Sequence, residues 1–108
     1  MTLHEGYSYR GEIYVKVSLL PVKADIIICL DTLESFHGSV SALGKTKSFS
    51  DGRKVGEDYV FSGTAKGVTA QITCRLHDDG SITGTALAEG RTFKLTGKVL
   101  SEEKGIIV

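Results

Sequence analysis

The sequence predicts an all-β fold: a single antiparallel meander of about eight strands, closed or nearly closed into an up-and-down barrel of the lipocalin or streptavidin kind. Three observations predict it. Apolar and polar residues alternate with period two along nearly the whole chain, and no segment carries a helical stripe. Turn residues interrupt that alternation at short, regular intervals. An apolar residue, any residue, then glycine recurs at Tyr9–Gly11, Phe36–Gly38, Phe61–Gly63, Ile82–Gly84 and Leu95–Gly97.

Each strand follows from this pattern. The first runs from Tyr7 to Leu19, with Tyr7, Tyr9, Gly11, Ile13, Val15, Val17 and Leu19 on the apolar face, and Pro21 ends it. The second is about Lys23 to Leu30, with Ala24, Ile26, Ile28 and Leu30 inward, followed by a turn over residues 31–34. Ser35 to Ala42 is the third, with Phe36, Gly38, Val40 and Ala42 inward. Leu43-Gly44 turns the chain into a short fourth strand near Thr46 to Phe49. A long polar loop follows, with Asp51-Gly52 and Gly56 as its turn residues. Asp58 to Lys66 and Val68 to Leu76 are separated by a turn at Gly67, and His77 to Gly80 is a hairpin connection with a strong Asp-Gly signal. Ser81 to Ala88 and Arg91 to Val99 complete the set. The segment SEEK reads as a charged turn, and GIIV as a closing strand or a loose end.

The segment Ala24–Thr46 aligns without gaps on Ala70–Thr92 at a constant offset of 46, with eight identities in twenty-three positions. Such self-similarity predicts an internal duplication with repeat units at about 24–46 and 70–92, all within a single domain over 1–108. The repeat also decides one tempting motif. Gly44-Lys45-Thr46 resembles the end of a phosphate-binding loop, but its counterpart Gly90-Arg91-Thr92 sits at an equivalent turn, and no helix follows either one. A phosphate loop needs a strand before it and a helix after it. The segment therefore reads as a hairpin turn, and no nucleotide site is expected.

Five inward glycines need a reason, because a mid-strand glycine weakens a strand by about 0.5–1 kcal/mol relative to alanine. Sharp strand bending with close backbone approach supplies one. Ala42, Ala65, Ala86 and Ala88 predict a narrow interior at one end. Tyr7, Tyr9, Tyr59, Phe61 and Phe93 are expected to fill the interior or to line one mouth of it.

The strand-Gly-Thr segments FSGTAKG, ITGTALAEG and LTGKV resemble a small β domain that occurs appended to some flavin- or FAD-dependent reductases and also alone. The resemblance covers roughly Ala24 to Val99. It implies the β fold but no catalytic residue and no flavin site. Leu43-Gly44 and Glu89-Gly90 stand where that domain has Met-Gly turns.

Composition narrows the function classes. Thirteen basic and thirteen acidic residues give zero net charge, without the basic excess of a nucleic-acid binder; a local basic patch at Lys45, Lys47, Arg53 and Lys54 is the exception. No apolar run approaches the ~20 residues of a membrane helix, and the N-terminal segment lacks the pattern of a secretory signal. No membrane partner and a cytoplasmic location are therefore expected. Cys29 and Cys74 have no CxxC spacing and read as free thiols on opposite strand faces, Cys29 outward and Cys74 inward. Cys29, His37, His77 and Asp79 have no convergent ligand spacing, so neither a metal nor any other cofactor is expected. The acidic residues form no buried pair of the kind acid–base catalysis uses.

Three readings remain. The first is a non-catalytic barrel binding a small apolar ligand, with Tyr7, Tyr9, Tyr59, Phe61 and Phe93 at one mouth. The second is a protein-interaction or homo-oligomerisation module using Ile27, Cys29 and Leu87 on the outer face. The third is a small enzyme. A cavity of about 300 Å³ or more favours the first reading, and a filled interior favours the second.

Overall fold

The computed structural model describes residues 1–106. Eight antiparallel strands follow one another around a closed barrel: β1 (Tyr7–Val15), β2 (Val22–Leu30), β3 (Ser35–Ala42), β4 (Lys45–Val55), β5 (Asp58–Ala65), β6 (Val68–Leu76), β7 (Ser81–Ala88) and β8 (Arg91–Lys104). Each strand pairs with its sequence neighbour, and β8 pairs with β1, which removes both sheet edges. The limits of β2 and β6 stand 46 residues apart, as do those of β3 and β7. The Leu43-Gly44 and Glu89-Gly90 turns adopt matching positive φ at both residues, the geometry of a tight two-residue hairpin. Gly44-Lys45-Thr46 thus belongs to the β3–β4 hairpin.

Three strand limits differ from the sequence expectation. β1 stops at Val15, which lies opposite Val22, the first residue of β2, while β8 extends four residues further, from Leu95 back to Arg91. Lys16 still donates its N–H to the Lys94 carbonyl at 2.9 Å, but β2 offers no partner past Val22, and Lys16–Pro21 forms a loop in which Leu19 is 98% exposed rather than inward. β4 runs through Asp51-Gly52, which is strand and not turn. Gly52 sits opposite Phe36, and its missing side chain makes room for that ring. β8 continues through SEEK, so that Glu102, Glu103 and Lys104 pair with Tyr9, Ser8 and Tyr7. A bulge at the Arg10/Gly11 step sets this last register. Beyond β8, Gly105 donates its N–H to the Gly6 carbonyl; the rest of the GIIV segment past Ile106 lies outside the described residues.

The inward glycines occur where strands crowd. A Cβ on Gly38 would lie 2.9 Å from the Ile27 carbonyl carbon, and nearer still to its oxygen. On Gly84 it would lie 2.9 Å from the Thr73 carbonyl carbon, and on Gly97 it would run into Glu12 and Ile13. Coiled strands of a small barrel bring the inner Cα of one strand against the backbone of the next, and only glycine fits there. Gly63 differs: its nearest neighbours would be Ile72 Cγ1 at 3.4 Å and Val40 Cγ2 at 3.7 Å.

The interior is graded along the barrel axis. At one end Phe36, Phe49, Phe61 and Tyr59 form an aromatic plug, with Phe49 and Phe61 stacked at 4.6 Å and Phe36 meeting each of the others at about 6 Å, in tilted or edge-on contact. Ile13, Ile26, Ile72, Ile82 and Leu95 fill the middle. Toward the other end the inward positions carry Ala24, Ala42, Ala65, Ala70, Ala86 and Ala88.

Candidate functional site

The alanine end is hollow. A cavity of about 310 Å³ opens to solvent there, lined by Ile13, Val15, Val40, Ile72, Phe93 and the alanines. This corrects the expectation of a narrow interior: strand number and tilt set the barrel's width, so short side chains leave volume instead of drawing the walls together. The aromatic end holds a void of only about 40 Å³, beside Tyr9, Tyr59 and Phe61.

The meander places the β1–β2, β3–β4, β5–β6 and β7–β8 connections around the cavity mouth, with the other connections at the closed end. One wall is loosely joined. β4 and β5 pair only over Arg53–Val55 and Asp58–Val60. A register shift between Phe36 and Gly38 puts an extra residue into β4 and bends its first half away from β5. Asp51 bridges the split: its carboxylate accepts the Ser62 N–H at 3.1 Å and the Ser62 hydroxyl. Partial burial raises the Asp51 pKa, but the two Ser62 hydrogen bonds outweigh it and hold the carboxyl below its ordinary value. Lys45 and Lys47 pair with Ala42 and Val40 across this stretch of the wall.

The five aromatic residues expected at one mouth do not share an end. Tyr9, Tyr59 and Phe61 lie at the closed end, where the Tyr9 hydroxyl accepts the His4 N–H at 2.7 Å. Tyr7 is half-buried against the His4 ring, 5.2 Å away. Phe93 alone lines the large cavity, with the Arg91 guanidinium 5.4 Å from its ring. The reason is register. Tyr9 lies near the start of β1, opposite Glu102, nine residues beyond Phe93 on β8, which is about 30 Å along a strand at 3.3 Å per residue. Alternation shows which face a residue takes but not its height in the barrel. The clustered alanines at the strand ends were the sequence signal of the cavity.

Ile27, Cys29 and Leu87 form no continuous outer patch. Ile27 is half-buried on β2, and Leu87 is exposed on β7, with β1 and β8 between those strands. Cys29 is off the interior cluster, as expected of an outward residue, yet it is fully buried rather than available to a partner. Its cover is the chain itself: Ser8 Oγ lies 3.3 Å from Cys29 Sγ and donates at 2.6 Å to the Gly105 carbonyl. Cys74 is inward, and burial pushes its thiol up to about 12. Both cysteines are free.

The histidines are used locally. His37 Nδ1 lies 2.7 Å from Asp31 Oδ2, and His77 Nε2 lies 2.7 Å from Thr83 Oγ1. Among the described residues no cluster of His, Cys, Asp or Glu is arranged to hold a metal. A polar groove of about 370 Å³ at the closed end is walled by Lys54, Glu57, Arg75 and Asp78; Arg75 is tied there to Asp58 at 3.1 Å and to Glu57 at 3.7 Å.

No helix among the described residues is long and apolar enough to cross a membrane. No family model matches the chain, and no curated protein matches it.

Proposed function

We propose that this protein is a non-catalytic binding module that takes a small apolar ligand into the open end of its barrel. The cavity itself carries this reading: about 310 Å³ of space, walled by aliphatic side chains and Phe93 and open to solvent. Ligand sites begin at about 300 Å³ and are mostly apolar, so this one suits a compact ligand. Homo-oligomerisation through Ile27, Cys29 and Leu87 loses its support with Cys29 under the chain's own cover.

The test is titration with N-phenyl-1-naphthylamine, an uncharged apolar fluorophore, alongside native mass spectrometry of the purified protein. The expected result is saturable binding at one site per chain. In the Ala70→Phe variant, whose ring would fill the cavity from the β6 wall, binding falls by more than about tenfold, equivalent to ~1.4 kcal/mol. Binding to Ala70→Phe equal to that of the parent protein would place the probe elsewhere and end the proposal.

A further inference from the structure

The cavity mouth carries two features that the ligand does not require. The first is apolar protrusion. Leu19 and Leu20, 98% and 80% exposed, stand on the β1–β2 loop, Leu43 on the β3–β4 turn, and Val68 beside the β5–β6 turn, each of the latter two at least 40% exposed. Val17, half exposed, links this rim to the cavity wall. Burying one such leucine contributes about tenfold or more to an association constant.

The second is charge. The zero net charge of the chain conceals a separation along the barrel axis. Lys16, Lys45, Lys47, Lys66, Arg91 and Lys94 lie on the mouth-side loops and strand ends, and among the described residues none of them forms an ion pair. The acidic residues near them are Asp25, 3.8 Å from Lys23, Glu12, 3.5 Å from Lys23 and 3.6 Å from Lys98, and Glu89. Exposed acids collect instead at the closed end, among them Asp31, Glu34, Glu57, Asp78, Glu102 and Glu103, where they outnumber the cations Arg53, Lys54, Arg75 and Lys104. The molecule is therefore a dipole whose positive pole is also its apolar rim.

From this coincidence we infer that the mouth docks onto an anionic lipid surface, with Leu19 and Leu20 inserted at the headgroup–acyl boundary and the lysines on the lipid phosphates. Protruding apolar side chains ringed by cations are what an interfacial anchor uses. The occupant follows from charge complementarity. A second copy docked mouth to mouth would bring two positive poles together, whereas an anionic leaflet neutralises the pole and takes up the leucines. The outer wall bears Arg10, Asp25, Arg75, Lys94 and Lys98, charges unlike the apolar band of a barrel embedded in lipid, so the contact is end-on. Docked this way, the cavity opens toward the acyl region, and an apolar ligand moves between the two without crossing water.

The experiment is flotation of the full chain with vesicles of phosphatidylcholine alone and of phosphatidylcholine with phosphatidylglycerol, at low and high salt. The expected result is binding to the anionic vesicles that high salt weakens. The double variant Leu19→Asp/Leu20→Asp, altered only at exposed loop positions, reduces partition more than about tenfold, and Lys45→Glu/Lys66→Glu does the same, since each cation near the surface is worth about fivefold. Leu33→Asp, at an exposed leucine of the closed end, leaves it unchanged. Absence of binding to anionic vesicles, equal binding to neutral vesicles at high salt, or full binding by the leucine variant would each overturn the inference. So would a concentration-dependent oligomer that Leu19→Asp/Leu20→Asp dissolves, because the rim would then cover a second copy. Ala70→Phe separates the two proposals: it removes probe binding and keeps vesicle binding.

Discussion

Alanine placed at two of the inward glycines tests the barrel's geometry most directly, because the structure assigns the two substitutions opposite signs. On Gly38 the new methyl would meet the Ile27 carbonyl, with the carbonyl carbon at 2.9 Å, and Phe49 Cζ at 3.1 Å. Carbon atoms settle at about 3.5–4.0 Å. Backbone cannot rotate away as a side-chain tip can, so β3 must draw back from β2 in mid-ladder, where Gly38 lies opposite Ile28. Overpacking of this kind costs about 1–3 kcal/mol, and strained flanking ladder bonds add about 1 kcal/mol. Alanine's smaller conformational loss returns about 0.5–1 kcal/mol. The net expectation for Gly38→Ala is about 2–3 kcal/mol of destabilisation. On Gly63 the nearest atoms stand at 3.4 and 3.7 Å, ordinary contact, so Gly63→Ala keeps the gain and is stabilising by about 0.5 kcal/mol. Urea unfolding separates the two: at about 1–3 kcal/mol per molar, the midpoints should differ by roughly 1–3 M. Midpoints that shift together, in either direction, would show that the crowding at Gly38 does not exist and that the glycines share some other cause.

Phe61→Ala removes the ring stacked on Phe49 and should cost about 3–5 kcal/mol in the same assay; a loss below about 1 kcal/mol would contradict the aromatic plug. Neither thiol should react with Ellman's reagent in the folded protein, since Cys29 is fully buried and the Cys74 thiol is pushed up to about 12, and both should react at the rate of unfolding; fast labelling of one thiol would expose Cys29. For Asp51, whose folded pKa lies below the ordinary 3.8, stabilisation is complete above the unfolded pKa and lost as pH falls through the folded value. Asp51→Asn should therefore be less stable than the parent at neutral pH, with the gap closing below about pH 4, and a gap that stays constant from pH 7 to pH 3 would deny the carboxylate its role between β4 and β5.

Local chemistry carried much of the fold into the sequence. Period-two alternation, Asp-Gly and Leu-Gly turns and the self-alignment at an offset of 46 locate β2, β3, β6 and β7 to within about one residue. Their limits were legible because both ends carry turn residues. What was missed depends on partners. Tyr7–Leu19 alternates without fault, yet the strand ends opposite the first residue of β2. Asp51-Gly52 has a hairpin's composition, yet Phe36 across the ladder claims the space a side chain would take. SEEK is highly charged, yet β1 needs those residues to close the barrel. The site was legible in kind and not in place. Side-chain parity puts Phe61 and Phe93 on one face but says nothing of their separation along the axis, and the charge separation appears only once the connections are sorted to the two ends.

The grading from aromatic plug to alanine layer makes a final prediction whose sign tests the hollow end. Ala86 is 2% exposed and lines the cavity from β7, beside Phe93 on β8. Ala86→Leu adds three carbons, worth about 0.8 kcal/mol each when buried, against a rotamer loss of about 0.5–1 kcal/mol. With about 310 Å³ free in front of the residue, the leucine has room, and the variant should be more stable by about 1–2 kcal/mol while binding the fluorophore more weakly. If the alanine layer were packed shut, the same substitution would be overpacked and destabilising by about 1–3 kcal/mol. A barrel that is stabilised by filling, yet keeps alanine where a leucine fits, is holding that volume open for something other than its own fold. A destabilised Ala86→Leu removes the cavity from the structure and the ligand from the proposal together.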